Sequence, residues 1–265
     1  MTILAGVAGQ PIAHSLSPLI HSAWIEAAGL DADYRAFGPA DPVGFAALVA
    51  DGRAGRLRGL NVTAPFKEQA LALADEASAT ALGCGSANLL LFEAGRVQAD
   101  STDGAGLMGA LAEQAPGLDV RGRSAVVLGA GGAARAAVAA LAGAGADVGV
   151  LNRTRSRAEA LAADLGATAV EAAALETAAL VVNALSVAPE INLAGLPDDV
   201  VLMDMTYRPL VTEFLAGGQA RGVKTVDGLA MLIGQARPSF RALFGREPPG
   251  IDVRRLALAA LGVTP

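Results

Sequence analysis

The sequence predicts an α/β protein of two domains, each built on a mainly parallel sheet. Three observations carry this. The chain has 265 residues, more than the roughly 100–200 usual for one domain. Apolar runs of strand length alternate with longer Ala/Leu-rich segments, which is the order of strands joined by crossover helices. After "APGLDVRGR" the pattern restarts as strand, glycine turn, helix and strand.

Each element has its own local signal. "ILAGVAG" (residues 3–9) reads as a strand and "PLIHSAWIEAAG" (18–29) as a helix ending at glycine. "ADYRAF" is a short strand, "PVGFAALVADG" a helix and "LRGLNVTA" a strand. "PFKEQALALADEASATAL" (65–82) reads as one long helix, "SANLLLFEAGRVQA" as a hairpin turning at Glu93–Gly95, and "DGAGLMGALAEQ" as a helix. In the second half, "SAVVLGAGGAARAAVAALAGAGADVGVLNR" is strand, turn, helix and strand. "SRAEALAADLG" follows as a helix, "AALVVNAL" and "DVVLMDMTY" as strands, and "GLAMLIGQARPSFRALFG" and "DVRRLALAALG" as closing helices.

Composition narrows the function. Hydrophobic residues make up 53% of the chain, enough to build a core and to argue against disorder. The net charge of −6 supplies no general basic field for a phosphate backbone, so no nucleic-acid partner is expected. One cysteine, Cys84, permits no intrachain disulfide, and two histidines are a poor supply for a zinc site, so no metal is expected. The N-terminus lacks a basic region and no apolar run is long enough to span a bilayer, so a soluble cytoplasmic protein is expected.

Residues Gly129-Ala130-Gly131-Gly132-Ala133-Ala134 fit G-x-G-x-x-A. They follow an apolar strand and open a helix, the arrangement that brings a pyrophosphate against backbone N–H groups at a positive helix end. An NAD site carries an acid at the end of the next strand for the ribose 2′-hydroxyl. Here that position reads "NRTRSR", Asn152-Arg153-Thr154-Arg155-Ser156-Arg157, with three arginines and no acid. A carboxylate repels a 2′-phosphate and guanidinium groups bind it through paired hydrogen bonds, which favours NADP(H).

Three polar positions stand at predicted helix starts. "GLNVTAPFK" puts Lys67 in a first turn with Pro65 at the first helical position. A structural role there favours Asp or Glu, so Lys67 reads either as a lysine placed for proton transfer or as one held harmlessly in water. Asp103, after Ser101 and Thr102, reads as a functional carboxylate or an ordinary cap. In "HSLSP", Ser17 is expected at the N-cap and Pro18 at the first helical position. Ser15 and Ser17 add hydroxyls to that positive helix end, which suits a carboxylate, although Ser17 can equally serve only as a cap. His14 and His21 read as packing and hydrogen-bonding supports of this segment.

"GQPIAHSLSP", "GLNVTAPFK", "STDGAG", "GAGGAAR", "NRT", "DMTY" and "DGLAMLIGQA" resemble the shikimate dehydrogenase family, in the family's order and over nearly the whole chain. The resemblance implies a substrate domain at residues 1–104 plus 237–265 and a Rossmann-like NADP domain at 105–236, with the active site in the cleft between them. It implies reversible reduction of 3-dehydroshikimate to shikimate, with Lys67 as acid and base and Asp103 beside it. Ser15 and Ser17 would bind the substrate carboxylate, and Thr63, Asn88, Asp103, Tyr207 and Gln235 would line the polyol pocket, with Asn61 supporting its neighbours. Gly129 to Ala133, Asn152, Arg153, Thr154 and Arg157 would hold NADP, and Met205 and Gly228 would approach its nicotinamide end. A monomer or homodimer is expected.

The chain departs from the family at Leu89, Ser101, Ser22, Leu185 and Phe244, where the family usually has Thr, Asn, Asn, Thr or Ser, and Trp. Quinate or an amino-substituted shikimate therefore stays open as the substrate, as does a noncatalytic NADP-binding regulatory module. Ser17, where quinate relatives often have Thr, favours shikimate.

Overall fold

The structure, a computed structural model, describes residues 2–263. The chain divides into two compact units. The first runs to Thr102 and resumes at Gln235, and the second is Asp103–Gly234.

The first unit opens with β1 (Ile3–Ala8), α1 (Ser17–Ala27), β2 (Ala32–Phe37), α2 (Pro42–Arg53) and β3 (Gly59–Val62). Then come α3 (Lys67–Ala72), β4 (Glu76–Ala77), α4 (Ala79–Cys84), β5 (Leu89–Glu93) and β6 (Arg96–Asp100). The sheet order is β2-β1-β3-β5-β6-β4. β1 pairs in parallel with β2 and β3, whereas β5 runs antiparallel to β3 and β6. The α2 start follows its sequence signal: Asp41 accepts the Gly44 N–H at 2.8 Å and Pro42 occupies the first turn. The β5–β6 hairpin turns at Ala94–Gly95, both with positive φ, as a tight two-residue connection requires.

Residues 65–82 are not one helix. α3 ends at Ala72, and Asp75 takes the Val97 N–H at 2.7 Å and pairs with Arg53. Ser78 then caps α4 by accepting the Ala81 N–H at 3.0 Å. A Ser side chain that bonds nearby backbone competes with helical continuation, and with Asp75 drawn to β6 and α2 it wins over an Ala/Leu-rich pattern.

The second unit begins with α5 (Asp103–Gln114), β7 (Ser124–Leu128), α6 (Gly132–Gly143), β8 (Asp147–Leu151), α7 (Arg155–Leu165) and β9 (Thr168–Ala169). It continues with β10 (Leu180–Asn183), β11 (Val201–Asp204), α8 (Glu213–Ala220) and β12 (Lys224–Val226). Its sheet is parallel throughout, in the order β12-β11-β10-β7-β8-β9. Alternate strand residues enter separate cores: Val127, Val150, Val182 and Met203 in one, Val126, Leu128, Val181 and Leu202 in the other. A parallel sheet with both faces covered needs such continuously apolar strands. The strand expected over residues 199–207 stops at Asp204, and β9, α8 and β12 were not anticipated.

Helix α9 (Gly228–Phe244) spans the boundary between the units, and α10 (Val253–Ala260) closes the first. Of the segment expected to end at residue 265, the last two residues lie outside those described.

Candidate active site

In the first unit, the polar residues singled out from the sequence gather at one end of the sheet. This is the end where β1 and β3 finish, β5 begins and β6 finishes. Thr63 follows β3, donates its N–H to the Ala8 carbonyl at 2.9 Å and is half-buried. Gly9 lies so close to it that an added Cβ would be 2.3 Å from the Thr63 methyl.

The chain then turns through Ala64 and Pro65, closed by the Phe66 N–H on the Thr63 carbonyl at 3.1 Å. Pro65 is therefore a turn residue and not the first helical residue, because the turn uses two more residues before α3 begins. Lys67 is the first residue of α3, half-buried, and its carbonyl accepts the Ala87 N–H at 2.9 Å.

Ser15 and Ser17 stand at the start of α1, both half-buried. Ser17 is the first helical residue and Leu16 holds the cap position without a side-chain bond. Ser15 supplies the local acceptor instead, taking the Ser17 N–H at 3.3 Å. The one-residue shift follows from this bond and leaves Pro18 second in the helix. Both hydroxyls remain at the positive helix end.

Asn88 is 2% exposed and joins the far elements of this end. Its Oδ1 accepts the Thr102 N–H at 2.7 Å, and its Nδ2 donates to Thr102 Oγ1 at 3.0 Å and to Gln235 Oε1 at 2.6 Å. Asn61 donates from Nδ2 to the Asn88 carbonyl at 3.1 Å and to Ser239 Oγ at 2.9 Å, and accepts from the Tyr34 hydroxyl at 2.8 Å. Thr102, Ser239 and Tyr34 were missed in the sequence, because a hydroxyl in a strand or helix carries no local mark of its distant partner.

The two histidines separate. His14 is exposed. His21 is 1% exposed and lies flat on the Tyr34 ring at 4.1 Å, with Trp24 and Phe240 around it. Desolvation lowers its pKa to about 3, so it is neutral near pH 7. Its Nδ1 has no hydrogen-bond partner, so His21 supports α1 by packing alone. Phe244, in the usual tryptophan position, joins the same aromatic group 4.8 Å from Phe240, and Leu89 is buried at the start of β5.

In the second unit, β7 ends at Leu128 and Gly129 turns with φ +116°, a conformation that favours glycine. A Cβ there would also meet Leu185 at 3.1 Å and the Ala184 backbone at 3.4 Å. β7 lies between β8 and β10, so this turn sits where the strand order reverses, the usual crevice for a dinucleotide.

Gly131 caps α6 without a side-chain bond, and a Cβ on it would meet nothing within 4 Å. The open space in front of free helical N–H groups is the cradle a pyrophosphate needs. Ala130, Gly132 and Ala133 are half-buried around it, and Ala134 is fully buried against the sheet.

Beyond β8, Asn152 folds its Nδ2 onto the Thr154 carbonyl at 2.9 Å. Thr154 caps α7 in position but makes no side-chain cap bond. Arg155 is held by Glu159 at 2.8 Å and by Glu171. The side chains of Arg153 and Arg157 are exposed and have no hydrogen-bond or ion-pair partner among the described residues. The donor set fits a 2′-phosphate.

Met205 and Tyr207 are half-buried in the segment after β11. Asp204 anchors this segment, accepting from Thr212 Oγ1 at 2.7 Å, the Thr206 N–H at 2.9 Å and Asn183 Nδ2 at 3.1 Å. Gly228 is buried where a Cβ would lie 2.6–2.7 Å from the backbone of Met205 and Thr206, so only glycine lets the two backbones pass. Asp103 opens α5 and is 1% exposed. Asp103, Met205, Tyr207 and Gly228 belong to the second unit, and Ser15, Ser17, Thr63, Lys67, Asn88 and Gln235 to the first.

Known proteins place these features in one family. Residues 7–90 match the shikimate dehydrogenase substrate binding domain and residues 110–188 match shikimate / quinate 5-dehydrogenase. The shikimate dehydrogenase (NADP(+)) of Caulobacter vibrioides is 53% identical over 98% of this chain and 96% of its own. That of Maricaulis maris is 43% identical, again over 98% and 96%. The crystal structure of shikimate 5-dehydrogenase from Thermus thermophilus, in complex with NADP(H) and shikimate, superposes with a TM-score of 0.88 at 38% identity over 98% of both chains. With its glycine turn, lysine-led helix and buried amide cluster, the chain belongs to the shikimate dehydrogenase family.

Proposed function

We propose that the chain is an NADP-dependent shikimate dehydrogenase that reversibly reduces 3-dehydroshikimate to shikimate. The observation that carries this reading is the gathering of Thr63, Lys67, Asn88 and Gln235 at one end of the first sheet, in a chain 53% identical to a shikimate dehydrogenase (NADP(+)). A small ring bearing a carboxylate and hydroxyls needs many donors and acceptors, and that end supplies them.

Each residue then has a chemical task. Ser15 and Ser17 take the substrate carboxylate at the α1 start. Thr63, Asn88, Tyr207 and Gln235 bind ring hydroxyls and fix the orientation of the reacting carbon. Lys67 gives a proton to the carbonyl oxygen during reduction and removes it from the hydroxyl during oxidation. Asp103 orients the lysine and the reacting hydroxyl.

Gly129 to Ala133 would hold the pyrophosphate of NADP and Asn152, Arg153, Thr154 and Arg157 its 2′-phosphate, with Met205 and Gly228 toward the nicotinamide. When bound, the cofactor supplies or accepts the hydride. We assign the first unit, which ends at Thr102 and resumes at Gln235, mainly to substrate binding and the second, Asp103–Gly234, mainly to cofactor binding, within two residues of the expected 1–104, 237–265 and 105–236. Among the described residues no helix is long and apolar enough to cross a membrane. We assign the enzyme to the cytoplasm, acting as a monomer or homodimer.

The test is spectrophotometric oxidation of shikimate and quinate, each with NADP and with NAD. Shikimate with NADP is expected to give the highest kcat/KM. Turnover of neither acid, with NADPH still bound, identifies a noncatalytic NADP-binding module instead. A higher kcat/KM for quinate moves the substrate and leaves the chemistry.

A further inference from the structure

Ser239 is fully buried and was marked by nothing in the sequence, yet it joins β3, the segment after β6 and an earlier turn of its own helix. Its Oγ accepts from Asn61 on β3 at 2.9 Å, lies 3.2 Å from Thr102 Oγ1 after β6, and donates to the Gln235 carbonyl one turn earlier on α9 at 3.0 Å.

The direction of each bond can be worked out from groups with one possible role. The Asn88 carbonyl only accepts, so Asn61 must turn Nδ2 toward it and Oδ1 toward the Tyr34 hydroxyl. Asn61 therefore also donates to Ser239, whose own proton goes to the Gln235 carbonyl, another pure acceptor. The Thr102 N–H only donates, so Asn88 must turn Oδ1 toward it and Nδ2 toward Gln235. Gln235 then faces inward with Oε1, and its Nε2 is left to face outward.

We propose that Ser239, with Tyr34 behind Asn61, is a positioning residue that fixes the turn of α9 carrying Gln235, whose amide N–H groups Asn88 leaves presented to the substrate. The site then reads a hydrogen-bond acceptor on the ring at that point. Ser239 ties the turn of α9 that carries Gln235 to β3 and to Thr102, and Tyr34 completes the Asn61 bonds from the far side. Both residues are buried: Tyr34 is 3% exposed and Ser239 0%. The proposal rests on the reading of Gln235 as a substrate ligand.

The test is steady-state kinetics of Ser239→Ala and Tyr34→Phe, with shikimate and NADP varied separately. Removing one buried hydrogen-bond partner is expected to raise the KM for shikimate about tenfold in Ser239→Ala and about threefold in Tyr34→Phe. The KM for NADP and the pH profile of kcat stay within twofold of wild type. Val49→Ala, a core truncation on α2 away from the cluster, controls for lost stability and is expected to leave the KM for shikimate unchanged.

Unchanged KM for shikimate in the two variants overturns the proposal, as does an equal rise in Val49→Ala. Tyr34→Phe removes a single oxygen, so it decides the matter if Ser239→Ala does not fold. Wild-type protein that turns over no shikimate refutes the parent reading and the positioning role with it. Wild-type turnover with unmoved KM values refutes the positioning role alone.

Discussion

Removing both unpaired arginines from the β8–α7 segment, in the double variant Arg153→Ala/Arg157→Ala, should convert a cofactor preference into near indifference. The magnitude follows from the local geometry. Arg155 is held by Glu159 and Glu171 and cannot replace the missing pair without giving up those ion pairs. A hydrogen bond to a charged group contributes about 1.5–3 kcal/mol. Solvent exposure and salt screening put each of these two at the low end. Together they amount to about 3 kcal/mol, or roughly a 150-fold fall in kcat/KM for NADP. NAD lacks the 2′-phosphate, so its kcat/KM should change less than threefold. The assay is initial-rate shikimate oxidation with each cofactor over a range of concentrations, at two ionic strengths, with the NADP loss smaller at high salt. An equal fall with NAD would show that the arginines support the turn itself, and no fall with NADP would refute their role as phosphate ligands.

Other perturbations test separate parts of the argument. Lys67→Ala should lose at least 10³-fold in kcat while thermal unfolding stays near wild type, because the side chain is half-buried at a helix start and a missing proton donor costs about 10²–10⁴-fold; full turnover would remove Lys67 from the mechanism. Gly131→Ala should leave Tm unchanged and raise the KM for NADP about tenfold or more, since its new methyl meets no protein atom and enters the cradle. Gly228→Ala should instead destabilise the fold by about 1–3 kcal/mol, read by urea unfolding, because its methyl would lie 2.6–2.7 Å from the backbone of Met205 and Thr206. His21 stays neutral in the fold with its pKa lowered to about 3 against an unfolded value of 6.5, so its contribution is complete above pH 6.5. As pH falls from 6.5 toward 3 the unfolded state takes up the proton and stability declines by about 1.4 kcal/mol per pH unit. His21→Phe should flatten that part of the pH dependence relative to wild type, and identical slopes would refute the assignment.

Much of the cofactor half was legible because its determinants are local. A strand, a glycine turn, a helix start and a basic segment lie within about thirty residues, and the chemistry of a phosphate site depends on backbone N–H groups that any such turn exposes. The α5 helix, β2 and the β5–β6 hairpin were equally legible, because period and turn residues act over a few positions.

The failures have both local and distant causes. Ser78 and Ser15 act through side-chain bonds to nearby backbone, Ser78 ending the helix expected over residues 65–82 and Ser15 moving the start of α1 by one residue, whereas Asp75 is drawn to Val97 and Arg53, each 22 residues away. The segment from Arg208 to Asp227 carried too little periodicity to show α8 and β12.

What the sequence by itself determined was the alternation of strands and helices, the glycine turn with its arginines, and the residue types able to move a proton and bind a carboxylate. Only the tertiary structure decided how the amides of the first unit face. Asn61 reaches Tyr34 across 27 residues of chain, Asn88 reaches Gln235 across 147, and Asn61 reaches Ser239 across 178. Periodicity and capping operate within one or two turns, so they carry no record of such partners. Burial made the difference: with water excluded, polar groups there pair with one another, and backbone groups that can only donate or only accept set which way the amides turn.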